Sequence, residues 1–178
     1  PAKKRRLVPA TGVEVPEHGI EFIPVQHEGN AQASDEEVSA IDGLVDKLLK
    51  CSWIDEKGAK HKVAAEDILI VAPYNLQIVK LKERLNDKAR IGTVDKFQGQ
   101  EAQAVLISMA TSSGEELPRN IEFLYSRNRL NVAISRARSV AVILASPQLL
   151  EIQCNSVEQM RLVNTLCWAW EYAERNRQ

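Results

Sequence analysis

Apolar positions in this chain fall into two alternating patterns. Asp67-Ile68-Leu69-Ile70-Val71-Ala72 is a nearly unbroken apolar run stopped by Pro73, and Ala104-Val105-Leu106-Ile107-Ser108-Met109 and Val140-Ala141-Val142-Ile143-Leu144 repeat the pattern. Short runs without polar alternation predict strands buried on both faces, as in a parallel sheet. Ile20 to Val25 and Arg90 to Val94 predict two more strands. Between these runs the period changes. Val38, Ile41, Val45, Leu48 and Leu49 recur at helical spacing, and Ser34 with Glu37 three residues later forms a capping-box signature at the helix start. Leu76, Val79, Leu81 and Leu85 predict a second helix, and Leu130 to Ala137 a third. Val157 to Arg175 predicts a last helix with Met160, Val163, Leu166, Cys167 and Trp170 on its apolar side. Thr111 to Arg119 is a polar loop. Strands alternating with helices predict an α/β fold, a mostly parallel sheet with helices on both faces.

Residues 1–19 are rich in Pro, Gly and charge and are expected to be a linker or poorly ordered edge, so the domain is placed at 20–178. Within that segment, Lys3-Lys4-Arg5-Arg6 reads first as a solvated tail, with a nuclear localisation signal or a phosphate contact as the alternatives. The first residue is Pro1, and the chain is expected to be a piece of something longer. Its 178 residues suit one domain with a real core.

A net charge of −1 excludes a uniformly basic surface but not a local basic groove. Cys51, Cys154 and Cys167 are odd in number and lack metal spacing, which implies reduced thiols in a cytoplasmic protein. There is no apolar run of membrane-spanning length and no signal peptide, so no membrane partner is expected. His18, His27 and His61 are scattered without ligand spacing and receive no catalytic role. Trp53, Trp168 and Trp170 could stack on bases, but two of them lie on the last helix, where core packing is the expected role.

Three blocks carry chemistry. The first is Gly92-Thr93-Val94-Asp95-Lys96-Phe97-Gln98-Gly99-Gln100-Glu101. Thr93 offers a hydroxyl to a phosphate, Gly99 lets a phosphate approach the backbone, and Glu101 can accept from a ribose hydroxyl or an arginine. The second is Arg129-Leu130-Asn131-Val132-Ala133-Ile134-Ser135-Arg136-Ala137-Arg138. On a helix, Arg136 and Arg138 would point to different faces, one toward a site and the other toward packing or a salt bridge. The third is Ala72-Pro73-Tyr74-Asn75-Leu76-Gln77, where Tyr74 can stack on a base and Gln77 can meet an adenine edge or bond within the cleft. Tyr74, the loop Lys96 to Glu101 and the loop after Met109 are all expected just past strand ends, converging on the carboxyl rim of the sheet.

Together the blocks resemble motifs V, VI and IV of superfamily 1 helicases. Over about residues 20 to 165 the chain is similar to their second RecA-like domain, in particular to the 5′-to-3′ branch that includes the nonsense-mediated-decay helicase and the helicase–nuclease of Okazaki-fragment processing. Phe123-Leu124-Tyr125-Ser126 before Asn128-Arg129-Leu130-Asn131 resembles bacterial members, some fused to a RecB-like nuclease.

The resemblance implies a three-layer RecA-like αβα domain. It implies that Tyr74 and Gln77 line the nucleotide cleft, that Gly99 and Glu101 face the nucleotide, and that Arg136 is an arginine finger. Thr93 would touch the nucleic-acid backbone, with Lys96 as a neighbouring cation. Ile78 stands where some members carry an arginine after the motif IV glutamine. There is no Gly-x-x-x-x-Gly-Lys-[Ser/Thr] loop and no Walker B acidic pair, so the domain has a P-loop NTPase fold without its own P-loop. ATP and Mg²⁺ would be held mainly by a first RecA-like domain N-terminal to this one, and the chain alone would be inactive. The implied function is the second motor domain of an ATP-dependent helicase on single-stranded nucleic acid, DNA before RNA. The alternative is a catalytically silent nucleic-acid-binding or protein-interaction module derived from a helicase.

Overall fold

The computed structural model describes residues 5–116 and 127–177. In chain order the described elements are β1 Arg6–Val8, β2 Gly19–Pro24, α1 Asp35–Leu48, β3 Ser52–Ile54, β4 Lys60–Lys62, β5 Ile68–Val71, α2 Asn75–Leu85, β6 Arg90–Gly92, β7 Ala102–Ser108, α3 Arg127–Ser135, β8 Ala137–Ala145 and α4 Val157–Arg177. Phe123 to Ser126, which carried the resemblance to bacterial members, and the end of the polar loop from residue 117 lie outside the described residues.

The main sheet has the order β2-β8-β7-β5-β6, and all four pairings are parallel. Every residue of β5 and β7 is buried, as unbroken apolar runs require. Successive residues face opposite layers. Leu69, Val105 and Ile143 pack with Leu130 of α3 and with Val163 and Leu166 of α4. Their neighbours Ile70, Leu106 and Val142 pack with Ile41 and Val45 of α1 and with Leu81 of α2. The strand period of two thus divides one sheet between two cores, giving the expected three-layer α/β arrangement.

Within the stretch expected to be a linker, the described residues include a short strand. Arg6–Val8 pairs antiparallel with β3, which pairs with β4, and Leu7 is fully buried. One buried side chain in a three-residue strand gives no periodicity to read.

Three helices also differ in detail. On α2, Leu76 and Val79 are exposed while Gln77, Ile78, Leu81 and Leu85 are buried, so the inward face is rotated from the apolar reading. On α4, Met160 and Trp170 are exposed, and Ala169 and Ala173 join Val163 and Leu166 in the core. Small residues fit where a helix lies close to the sheet, and the larger aromatics are turned out. The third helix ends at Ser135, and β8 starts at Ala137, so Arg138 lies on a strand and not on a helix.

Candidate functional site

Two groups of the proposed residues lie at opposite ends of the sheet. A parallel sheet gathers the carboxyl ends of its strands on one rim and the amino ends on the other. Residues 93–101 must carry the chain from the carboxyl end of β6 back to the amino end of β7. They do so with only a short 3₁₀ turn, Asp95–Phe97. Thr93 therefore belongs to the carboxyl rim and Glu101 to the amino rim. The seven residues of β7 span roughly 23 Å at about 3.3 Å each. The expected convergence on one rim holds for Tyr74 and the start of the loop after Met109 but not for Gly99 or Glu101; Arg136, just ahead of β8, also lies on the amino rim.

At the carboxyl rim, a cleft of about 310 Å³ opens beyond β5, β6 and β7. Tyr74, Thr93, Asp95, Ser108, Met109 and Arg129 are among its lining residues. Tyr74 stands at the N-cap of α2 and is 5% exposed, so little of its ring is free to stack. Arg129 enters from α3 and lies 3.8 Å from Asp95. Arg129 opens the second block, but the sequence alone gives it no role; packing of α3 is what brings this cation into the cleft with Thr93. Lys96 is not in the cleft lining. Its Nζ sits 3.5 Å from the Ile91 carbonyl and 5.6 Å from the Phe97 ring centre, folded back along β6. Gly92 makes that path possible, because a Cβ there would meet Lys96 Cδ at 2.7 Å.

Behind the cleft lies a buried polar network that sequence reading missed. The Glu37 carboxylate is fully buried. Its Oε2 accepts from the Ser108 hydroxyl at 2.5 Å and from the Ala110 N–H at 3.0 Å. His27 Nε2 lies 3.1 Å from Glu37 Oε1, and His27 Nδ1 lies 2.7 Å from Ser112 Oγ. Ser112 Oγ also accepts from the Asn30 N–H. Facing a carboxylate oxygen, His27 Nε2 is the donor of its pair with Glu37. Gln77 is enclosed in the same network. Its Oε1 accepts from the Ser34 N–H at 2.9 Å, and its Nε2 donates to Ser108 Oγ at 2.9 Å. The Gln77 amide thus bonds inside the protein and does not line the cleft. The capping signature forms by half: Ser34 Oγ accepts from the Glu37 N–H, while Gln77 takes the contact back to Ser34. Glu37 is freed to tie α1 to the end of β7. There it holds Ala110, whose φ of 65° is uncommon for a residue with a Cβ.

At the amino rim, Arg90 opens β6, Glu101 precedes β7, and Arg136 precedes β8. Arg90 donates to the Gln100 side chain and to the Glu101 carbonyl, each at 2.9 Å. The Arg136 carbonyl accepts from the Ala102 N–H at 3.0 Å, which locks the start of β8 to β7. Arg138 Nε donates to Glu101 Oε2 at 2.8 Å. Arg136 Nε is buried without a hydrogen-bond partner among the described residues. Arg90 Nε on the same rim is in the same state, and an unsatisfied guanidinium nitrogen is costly. Gly99 has φ of +77° and open space where a Cβ would stand, so the turn needs its backbone freedom rather than its small size. Among the described residues, no cluster of three or more His, Cys, Asp or Glu could hold a metal ion, and no helix is long and apolar enough to cross a membrane.

A family model described as an AAA domain matches residues 14–148, most of the chain. The "Putative helicase mov-10-B.2" of Danio rerio is 30% identical over 159 residues, covering 80% of this chain and 15% of that protein. The "DNA-binding protein SMUBP-2" of Mus musculus is 43% identical over 88 residues, 47% of this chain and 9% of that protein. The "RNA helicase Mov10l1" of Mus musculus is 31% identical over 101 residues, 53% of this chain and 8% of that protein. The chain spans about 15% of the length of the mov-10-B relatives it matches.

Proposed function

We propose a motor role for this chain, which belongs to the AAA domain family: it is the second RecA-like domain of an ATP-dependent helicase acting on single-stranded DNA. The observation that supports this most is the separation of Thr93 and Arg136 to opposite rims of one sheet. One domain then presents a nucleic-acid grip and a nucleotide grip that move together as a rigid body, which ligand-driven domain closure needs.

At the amino rim, Arg136 faces the nucleotide and Glu101 faces its ribose. Bound ATP would supply the phosphoryl group whose transfer to water drives the cycle, with Mg²⁺ neutralising phosphate charge. Both would be held mainly by a first RecA-like domain, because this chain has no phosphate-binding loop. Arg136 then acts as the arginine finger. Its guanidinium stays charged, sits partly desolvated, and stabilises charge that grows on the transferring group. Gly99 shapes the turn that brings Glu101 into place. Arg138 orients the Glu101 carboxylate from β8.

At the carboxyl rim, Thr93 and Arg129 hold backbone phosphates, and Tyr74 packs beside them. Tyr74 lines the Thr93 cleft, which supports reading it as a contact to the strand rather than to the nucleotide. Gln77 is assigned to the buried network, and Lys96 to the support of β6. Bacterial origin and a fused nuclease are not carried into this proposal, because the relatives named above are animal proteins.

The testing experiment is steady-state phosphate release by the isolated chain and by the full-length protein, each with single-stranded DNA and RNA. The expected result is turnover by the full-length protein, stimulated more by DNA, and none by the chain alone. Turnover by the chain near 1 s⁻¹, roughly the range of working enzymes, would overturn the division of labour between the domains. Absence of turnover in the full-length protein would favour the silent module.

A further inference from the structure

The small sheet β1-β3-β4 takes no part in either grip, yet it concentrates charge. Residues 5–8 and 50–62 hold six lysines and arginines against two carboxylates, in a chain of net charge −1. Both carboxylates are already used. Glu56 pairs with Arg5 at 2.6 Å. Asp55 accepts from the Lys57 and Ala59 N–H groups at 2.9 and 2.8 Å and meets His61 at 3.1 Å, which fixes the β3–β4 turn.

Strand register then sorts the remaining side chains. Leu7, Trp53 and His61 are cross-strand partners and share one face. That face is the packed one, with Leu7 fully buried and Trp53 stacked on His61 at 4.4 Å between ring centres. Side chains alternate along a strand, so Arg6, Lys60 and Lys62 lie on the opposite, open face. All three are exposed. None makes a salt bridge among the described residues. Lysines on an edge strand are commonly there to discourage edge-to-edge pairing. That would explain Lys60 and Lys62 on β4. It does not explain Arg6, because the outer edge of β1 is already occupied where the Leu7 N–H donates to the Glu17 carbonyl.

We propose that this open face is a second nucleic-acid contact, binding the sugar–phosphate backbone of a single strand without reading its sequence. The argument is charge complementarity on a rigid platform. Arg6 and Lys60 stand two strands apart, roughly 10 Å, and Lys60 and Lys62 roughly 7 Å along β4. The turn and the Trp53–His61 stack hold these positions before any ligand arrives. The face is distinct from the Thr93 cleft: this sheet borders the amino ends of β7 and β8, where Arg5, Trp53 and Lys57 share a hollow with Gln103 and Arg138. It therefore holds a different stretch of the strand, and the inference rests on the reading that the chain works on nucleic acid.

The test uses the 178-residue chain and anisotropy of a labelled single-stranded DNA of mixed sequence, titrated at several salt concentrations. The triple variant Arg6→Gln, Lys60→Gln, Lys62→Gln should lower the salt slope by about 2, since each phosphate contact on a single strand contributes about 0.7. Affinity near 0.1 M salt should fall about tenfold or more. The pair Lys60→Gln, Lys62→Gln, which leaves β1 intact, should lower the slope by about 1.4. Thermal melts should be unchanged, because the three side chains are exposed. Binding by the wild-type chain with an unchanged slope in both variants would overturn this inference and leave the motor reading standing. Failure of the wild-type chain to bind at any salt concentration would overturn the nucleic-acid reading and this inference with it.

Discussion

Glu101 and Arg138 face each other across the amino ends of β7 and β8, with Arg138 Nε donating to Glu101 Oε2 at 2.8 Å. Both side chains are nearly half exposed, at 46% and 44%. Such a pair contributes about 0–1 kcal/mol to stability. The pairing uses Arg138 within the domain, so the proposed ligand contact falls to Arg136 at the strand junction. Arg138→Ala should therefore lower unfolding free energy by no more than about 1 kcal/mol in urea titrations. A loss of several kcal/mol would mean that the pair is buried in the working state.

Thr93→Ala in the full-length protein should weaken single-strand binding equally on unrelated sequences and uncouple ATP turnover from nucleic acid. A neutral hydroxyl displaces no counterion, so the salt slope should stay the same. Arg129→Ala should lower that slope by about 0.7. Asp95→Asn should tighten binding, because it removes a negative charge 3.8 Å from Arg129 in the cleft. Anisotropy titrations on two oligonucleotides check all three. A loss confined to one sequence after Thr93→Ala would show base readout instead.

Glu37→Gln should be among the most damaging single-atom changes in the chain. The new amide would point a donor either at the Ser108 hydroxyl and Ala110 N–H or at the His27 Nε2–H. Loss of hydrogen bonds to a buried charged group costs roughly 1.5–3 kcal/mol each. Chemical denaturation gives the cost directly. Weakened strand binding by still-folded protein is expected as well, because Ser108 and Met109 line the Thr93 cleft. A variant as stable as wild type would show that the network is not a support.

Acid should loosen the α1–α2 contact. Burial pushes the Asp42 carboxyl up, but hydrogen bonds from Arg84 and Lys88 outweigh it and hold it below the ordinary value of 3.8. A depressed carboxylate stabilises the fold above its unfolded pKa, and that contribution is lost as pH falls through the folded pKa. Melting temperature should therefore fall more steeply below about pH 4 for wild type than for Asp42→Asn. Parallel curves for the two proteins would contradict this.

The main sheet was legible because its strands are unbroken apolar runs, and α1 because Ser34 and five apolar positions mark it. The missing parts share a physical cause. Glu37 reads only as half of a helix cap and Gln77 as a cleft residue, because their buried partners, Ser108 and Ser34, stand forty or more residues away. Arg136 and Arg138 looked like two positions on one helix because nothing in Ile134-Ser135-Arg136-Ala137-Arg138 marks a helix end; the strand starts there because Ala102 bonds to the Arg136 carbonyl. The motif residues could be named from sequence, but not the rim each would occupy. The rim follows from parallel topology, which forces residues 93–101 to cross the sheet.

The most direct measurement of the central claim is ATP turnover in the full-length protein carrying Arg136→Ala, with ATP binding measured in parallel. A finger acts on charge that develops in the transition state, so turnover should fall by ~10³ or more while ATP affinity changes little. Arg138→Ala, tied to Glu101, should lose far less. Wild-type turnover in Arg136→Ala, or equal losses in the two variants, would contradict the assignment of Arg136 and with it the motor mechanism.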